Sequence, residues 1–214
     1  MTKTDPWAVY VFAHGAGAGM NHPFMVRASE ALEARGVATH RYEFPYMQAK
    51  KSRPDPPAVA EAAVRKAVAE AARQHSGLPI FAGGKSFGGR MTSQAQSSQP
   101  MPGVRGLIFF GFPLHPPGRP GIDRAKHLTS VDVPMLFLQG TRDEFAQLDL
   151  LKQVVNGLGE RATVHLIEEG DHSFKVPKRV GKTEADVMNE LADTVQRWLE
   201  RAVTSTPAPR GKHA

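Results

Sequence analysis

Apolar residues in this chain fall into short continuous runs, and between the runs they recur at helical spacing. Trp7–Ala13 is a β-rich run that ends in the glycine loop His14–Gly19, so it reads as a strand feeding a loop. From Asn21 to Arg35, Phe24, Met25, Ala28, Ala31 and Leu32 share one helical face, and Gly36 stops the helix. Val37–Phe44 is the next strand, and Pro45–Pro57 reads as an irregular proline-rich and lysine-bearing loop. Ala58–His75 is an alanine-rich helix whose expected face is Val59, Ala62, Ala63, Ala67 and Ala71. Pro79–Ala82 is a buried strand broken by Gly83 and Gly84, and a helix follows Ser86 through Arg90–Gln96.

The second half repeats this alternation. Val104–Phe110 is a buried strand, and the prolines and glycines of Gly111–Gly118 make an ordered loop after it. Val133–Gln139 is a strand, Glu144–Leu158 a helix and Ala162–Glu168 the last strand. A final helix from Glu184 to Val203 carries Val187, Met188, Leu191, Val195, Trp198 and Leu199 on one stripe. From Thr204 the sequence has almost no apolar content, so 204–214 is expected to be a disordered tail.

Strands that are apolar throughout, rather than alternating, are buried on both faces. With helices between them they predict an α/β fold: a mostly parallel sheet covered on both sides, in one domain spanning 1–203. In such sheets ligands bind at the carboxyl ends of the strands. The polar residues suited to chemistry should therefore follow strands.

They do so at three places. Gly84-Lys85-Ser86-Phe87-Gly88 follows one strand and opens a helix, the context of a G-x-S-x-G nucleophile elbow. Asp143 follows Val133–Gln139, and His172 follows Ala162–Glu168. The order Ser86, Asp143, His172 is that of a Ser/Asp/His triad on an α/β sheet. A serine hydroxyl needs a base to take its proton, a histidine can serve, and a buried carboxylate fixes the imidazole tautomer. Asp171 adjoins His172 and should point away from it; Asp149 falls within a helix; Asp123 and Asp132 precede their strand. Glu144 is the nearest competitor to Asp143. For an oxyanion hole the backbone N–H groups of Phe87 and Ala16 are the candidates, with Gly17 second to Ala16 and also a candidate to touch substrate. His115, in the proline-rich loop, is a further candidate for substrate contact, and His14 for orienting the glycine loop.

Taken singly, each feature has a plainer reading. Ser86 could cap a helix after a glycine turn, Asp143 could cap the helix starting at Glu144, and nine histidines make one near a loop unremarkable. Jointly they favour a hydrolytic site. A P-loop is excluded because its first glycine falls on Pro79, and a dinucleotide fingerprint because its third falls on Met20. No histidine–carboxylate pair has metal-ligand spacing on one helix, so neither metal nor other cofactor is expected.

Composition narrows the setting. The chain has 214 residues and no cysteine, which removes disulfides, thiolate metal sites and a cysteine nucleophile together. No apolar run has membrane-spanning length, and Met1–Pro6 is polar ahead of an apolar stretch too short for a secretory signal, so a soluble cytoplasmic protein is expected. The net charge of +6 gathers at Lys50, Lys51 and Arg53, at Lys175, Lys178, Arg179 and Lys182, and at Arg210 and Lys212. Aromatics are 7% of residues and do not interleave with these clusters, which argues for a solvated basic surface rather than a nucleic-acid footprint. Lys175 and Lys178 near His172 hint at an anionic substrate.

Five segments carry a resemblance: Phe12–Pro23 (FAHGAGAGMNHP), Gly83–Met91 (GGKSFGGRM), Gly111–Pro120 (GFPLHPPGRP), Leu138–Phe145 (LQGTRDEF) and Glu169–Phe174 (EGDHSF). The chain resembles the small single-domain α/β-hydrolases related to dienelactone hydrolase. Within that group it is most similar to the branch with a testis-expressed hydrolase-like protein and a subunit of a chromatin NSL complex. The resemblance implies a lidless, cofactor-free hydrolase fold with Ser86, Asp143 and His172 as triad, acting on a small carboxylic ester or thioester. Dienelactone hydrolases proper use a cysteine nucleophile, so their substrate is not carried over. Because the branch includes scaffolding members, a hydrolase-fold interaction protein is the alternative. The pocket is expected to draw on Gly111–Ile122 and Pro45–Pro57.

Overall fold

The computed structural model describes residues 5–204. Six strands form one sheet in the order β2-β1-β3-β4-β5-β6, parallel throughout: β1 Ala8–Ala13, β2 Val37–Tyr42, β3 Ile80–Lys85, β4 Val104–Phe110, β5 Met135–Gly140 and β6 Ala162–Ile167. The chain runs from β1 outward to the β2 edge, returns past β1 to β3, and then steps to the other edge. The reversal lies between β1 and β3, so the crevice beyond their carboxyl ends is where this topology places a ligand.

Six helices accompany the sheet: α1 Pro23–Glu33, α2 Pro45–Gln48, α3 Pro57–Gln74, α4 Phe87–Ser98, α5 Leu148–Leu158 and α6 Glu184–Thr204. The last described residue, Thr204, closes α6, and the expected tail beyond it lies outside the described residues. On one sheet face α3, α4 and α5 pack over Val9, Val11, Leu107, Phe109, Met135 and Phe137. On the other, α1 and α6 cover Tyr10, Phe12, Phe81, Ile108, Phe110, Leu136 and Leu138. Burial on both faces explains the uninterrupted apolar runs of β1, β3, β4 and β5.

Several elements depart from the sequence expectation. Gly83 and Gly84 lie within β3 rather than ending it. A side chain at Gly83 would overlap Ile108 O, and one at Gly84 would overlap Ala13 O, so glycine lets β3 sit tightly between its neighbours. The buried face of α3 is Ala60, Val64, Ala67, Val68 and Ala71, while Val59 is exposed. The five-residue apolar set expected there was rotated, because alanines on both sides of the helix blur its period. Pro45–Pro57 contains α2, and residues Asp123–Ser130 form a 3-10 turn between β4 and β5.

Candidate active site

The turn from β3 into α4 holds Ser86 at φ 49° and ψ −112°, outside the regions open to most side chains. Such a conformation costs on the order of 1–3 kcal/mol and persists only where the surroundings impose it. Here the Ser86 N–H donates to Phe110 O at 3.1 Å. A Cβ at Gly88 would come within 2.5 Å of His14 O and 2.6 Å of Ala13 O. The elbow is thus wedged against the end of β1, and only glycine fits there. Ser86 heads α4, whose first backbone N–H, that of Phe87, has no intrahelical acceptor.

Asp143 sits in the turn after β5. Its carboxylate is buried: Oδ1 accepts from Phe145 N–H at 2.8 Å, and Oδ2 accepts from Gln139 Nε2 and from His172 Nδ1, the latter at 2.7 Å. Gln139 is itself fixed, its Oε1 accepting from Phe112 N–H at 2.9 Å. The turn delays the helix, which begins at Leu148 rather than at Glu144. Glu144 is exposed and is not a partner of His172, which separates it from Asp143.

His172 comes from the loop after β6. That loop is tied to the Asp143 turn by Thr141 N–H to Ile167 O at 3.0 Å and Arg142 N–H to Gly170 O at 2.8 Å. Asp171 turns outward, its Oδ1 accepting from Ser173 N–H at 2.8 Å and Lys175 N–H at 2.9 Å. It shapes the loop and does not contact the imidazole of its neighbour. The imidazole lies against the Phe145 ring, centroids 4.3 Å apart, and its Nε2 faces Ser86 Oγ at 2.9 Å. Three residues that follow three different strands are therefore joined in one line, Asp143–His172–Ser86. With Nδ1–H donated to Asp143, Nε2 is left to accept the Ser86 hydroxyl proton.

The glycine loop borders Ser86. A Cβ at Gly15 would lie 3.6 Å from Lys85 Cγ and 3.8 Å from Ser86 Cβ, and Ala16 shares a cavity of about 650 Å3 with Ser86 and His172. Gly17 is exposed and does not line that cavity. His14 is fully buried. Its Nδ1 donates to Gly15 O at 2.8 Å and its Nε2 accepts from Phe44 N–H at 3.1 Å. Burial lowers its pKa, partly opposed by Gly15 O and Glu43, and the Phe44 N–H aimed at Nε2 requires the neutral ring. Glu43 braces the same loop, its Oε1 accepting from Met20 N–H at 2.7 Å.

The cavity lies elsewhere than the sequence suggested. Its walls are the glycine loop, the start of α1 (His22, Phe24, Met25 and Arg27), the His172–Lys175 segment and the start of α6 (Glu184, Val187, Met188 and Leu191). Neither Gly111–Ile122 nor Pro45–Pro57 contributes. His115 is buried away from it, with Nδ1 against Pro116 O at 2.9 Å and Nε2 accepting from Gln147 N–H at 3.3 Å. Leu114 N–H and His115 N–H both donate to Phe145 O, at 2.8 and 3.1 Å. The proline-rich loop is a buttress for the Asp143 turn. Of the cations near His172, Lys175 lines the cavity; Lys178 does not.

Sequence reasoning passed over Gln139, Glu43 and Lys85, which hold the acid, the glycine loop and the histidine loop respectively. A second serine–histidine contact has a different character. Ser93 Oγ lies 2.7 Å from His127 Nε2, but Ser93 spends its proton on Arg90 O at 2.9 Å. Burial and Arg90 lower the His127 pKa to about 4. Neither residue lines the cavity; the pair packs α4 against the 3-10 turn. Among the described residues no cluster of His, Asp or Glu is arranged to hold a metal ion. None of their helices is long and apolar enough to cross a membrane.

Comparison with known proteins gives a family and a fold. Residues 6–200 match the family described as alpha/beta hydrolase domain. An α/β serine hydrolase homologue from Coxiella burnetii superposes with a TM-score of 0.72 at 20% identity, covering 92% of this chain and 88% of its own. A serine hydrolase without a lid from Xanthomonas campestris gives 0.72 at 18% identity over 96% and 87%. Dienelactone hydrolase from Anabaena variabilis gives 0.71 at 17% over 93% and 88%. At these identities the likeness is one of fold.

Proposed function

This chain belongs to the α/β-hydrolase domain family, and from that premise we propose that it is a serine hydrolase cleaving a small carboxylic ester or thioester, with Ser86 as nucleophile, His172 as base and Asp143 as its orienter. The observation that carries this reading is the continuous hydrogen-bonded line from Asp143 through His172 to Ser86 Oγ.

In this reading the Ser86 oxygen attacks the substrate carbonyl as His172 Nε2 takes its proton. Imidazolium forms, and the buried Asp143 carboxylate stabilises it without taking the proton. The carbonyl oxygen becomes an oxyanion, received by the Phe87 N–H at the head of α4 and by the Ala16 N–H of the glycine loop. Each such donor supplies about 2.7–4 kcal/mol of transition-state stabilisation. Collapse expels the alcohol or thiol, which takes the proton from His172, and leaves an acyl group on Ser86. Water, deprotonated by the same imidazole, releases the acid and restores the hydroxyl.

The cavity suits a compact substrate with an apolar part, since Phe24, Met25, Val187, Met188 and Leu191 face it alongside the polar residues. The likeness to the testis-expressed and NSL-complex branch rests chiefly on Gly111–Pro120, and those residues serve the acid turn in this structure. Incubation with p-nitrophenyl acetate, followed by intact-mass measurement and peptide mapping, tests the reading. An acetyl adduct on Ser86 that forms and turns over in the wild type, and that Ser86→Ala does not acquire, is the expected result. A folded wild type that neither acquires the adduct nor releases nitrophenol contradicts it, and leaves the interaction-protein alternative.

A further inference from the structure

Lys85 occupies the variable position just before Ser86 in the elbow, where the pattern asks only for a residue that does not obstruct the turn. Its side chain reaches across the end of the sheet, and Nζ donates to the backbone carbonyl of His172 at 2.6 Å. The ammonium lies 5.5 Å from the Phe174 ring centroid and 5.9 Å from that of Phe24, and those two rings stack on each other with centroids 5.8 Å apart. Space for this crossing comes from Gly111. A Cβ there would approach Lys85 Nζ to 2.9 Å and His172 Nδ1 to 3.3 Å. No carboxylate lies within ion-pair distance of Nζ among the described residues. A half-buried ammonium that makes no direct ion pair is costly even with Asp143 and Asp171 acting on it from further off, and an apolar residue would span the same path at less cost.

The bond grips the loop at the residue that carries the base. Phe174, two residues past the imidazole, sits at φ 63°, a conformation rare for an aromatic residue, and its ring is one of the two against the ammonium. Lys85 therefore contacts the histidine loop twice, at the His172 carbonyl and at the Phe174 ring, and does so from the residue covalently joined to the nucleophile. Elbow and base are fixed to each other by one side chain.

Accordingly we propose that Lys85, as an ammonium, is a positioning residue that sets the His172 imidazole against Ser86. The inference rests on the proposed hydrolase reading. It gives that site a second ionisation besides the base itself. Burial lowers the Lys85 pKa to about 8, with Asp143 and then Asp171 opposing the fall. The other titratable groups around it are His172 itself from the loop after β6, His22 and Arg27 from the start of α1, Lys175, and Glu184 from α6, all of which share the cavity. The Arg27 charge is matched by Glu184 at 3.0 Å. When Nζ loses its proton, a charge-assisted hydrogen bond becomes an ordinary one, roughly half as strong, and the ring contacts lose their cation.

The test is the second-order rate of labelling by a fluorophosphonate from pH 6 to 10, together with steady-state hydrolysis of p-nitrophenyl acetate, on the wild type, Lys85→Met and Lys85→Arg. The wild-type rate is expected to fall above pH 8. Lys85→Met should label and turn over at least about tenfold more slowly at pH 7.5, with KM little changed and the alkaline fall abolished. Lys85→Arg should recover most of the rate and keep it to pH 10, because a guanidinium does not titrate there. If Lys85→Met does not fold, the wild-type and arginine profiles decide. A wild-type profile flat from pH 7 to 9.5, or a methionine variant that labels at the wild-type rate, overturns the inference while leaving the hydrolase reading in place. A wild type that does not label at all overturns the hydrolase reading instead.

Discussion

Gln139, next to last in β5, holds Asp143 by donating Nε2–H to the same carboxylate oxygen that accepts from His172. Its other side-chain atom, Oε1, is engaged by Phe112 N–H, so one fully buried amide ties the acid turn to the segment after β4. Gln139→Leu removes both bonds and leaves the Phe112 N–H unpaired in the core. Leaving such a group unsatisfied costs about 1–3 kcal/mol. Urea denaturation is expected to show a loss of that size, and ester turnover should fall by a lowered kcat rather than a raised KM. Asp143→Asn should cost more, roughly 10⁴-fold in kcat, because the amide favours the wrong imidazole tautomer.

Gly88 gives a backbone test of the elbow. At a helical position, Gly→Ala ordinarily gains about 0.5–1 kcal/mol. Here the new methyl would press on Ala13 O at the end of β1 and on His14 O just beyond it, backbone atoms that cannot swing aside. Gly88→Ala is therefore expected to destabilise, by about 1–3 kcal/mol as overpacking does, and to abolish labelling of Ser86. A variant at least as stable as the wild type in thermal melts would show that the elbow is looser than described.

Glu43 should act on rate through the glycine loop. Its Oε1 receives the Met20 N–H, and a Cβ at Gly19 would come within 2.5 Å of that oxygen, so the carboxylate fills the space inside the loop. Glu43→Ala is expected to lower kcat by about tenfold, less than the roughly 10²–10³-fold that outright loss of an oxyanion donor costs, with a smaller effect on KM. Separate kcat and KM values check it.

His127 supplies a pH signature of stability away from the site. Its folded pKa, about 4, lies below the ordinary value of 6.5 because of burial and Arg90. Between those values the unfolded chain binds the proton that the folded chain refuses, so stability is present above pH 6.5 and drains as pH falls toward 4. His127→Gln removes that titration. Urea midpoints at pH 7.5 and 4.5 should show the variant closing on the wild type, or passing it, at the lower pH.

Much of this was readable along the chain because strand ends are readable. Continuous apolar runs located β1, β3, β4, β5 and β6, and the strand-end rule then picked out Ser86, Asp143 and His172. The supporting residues gave no such signal. Gln139 looks like any polar residue closing a strand, and Glu43 and Lys85 look like surface charges until the sheet order brings Met20 and His172 beside them. The cavity was misplaced for a similar reason. Which helices flank the crevice depends on the face each crossover takes, and α1 and α6 fall together although more than a hundred positions part them. His115, beside prolines near a strand end, had every local mark of a substrate contact, and its ring is spent on Gln147.

The central claim is that His172 activates Ser86 for acyl transfer. Labelling by a fluorophosphonate, with the modified residue identified by mass spectrometry, tests it most directly. Wild-type protein is predicted to be labelled on Ser86 alone, Ser86→Ala not at all, and His172→Ala at least about a hundredfold more slowly, as loss of a general base implies. Labelling that persists in Ser86→Ala, or a folded wild type that remains unlabelled, would contradict the account.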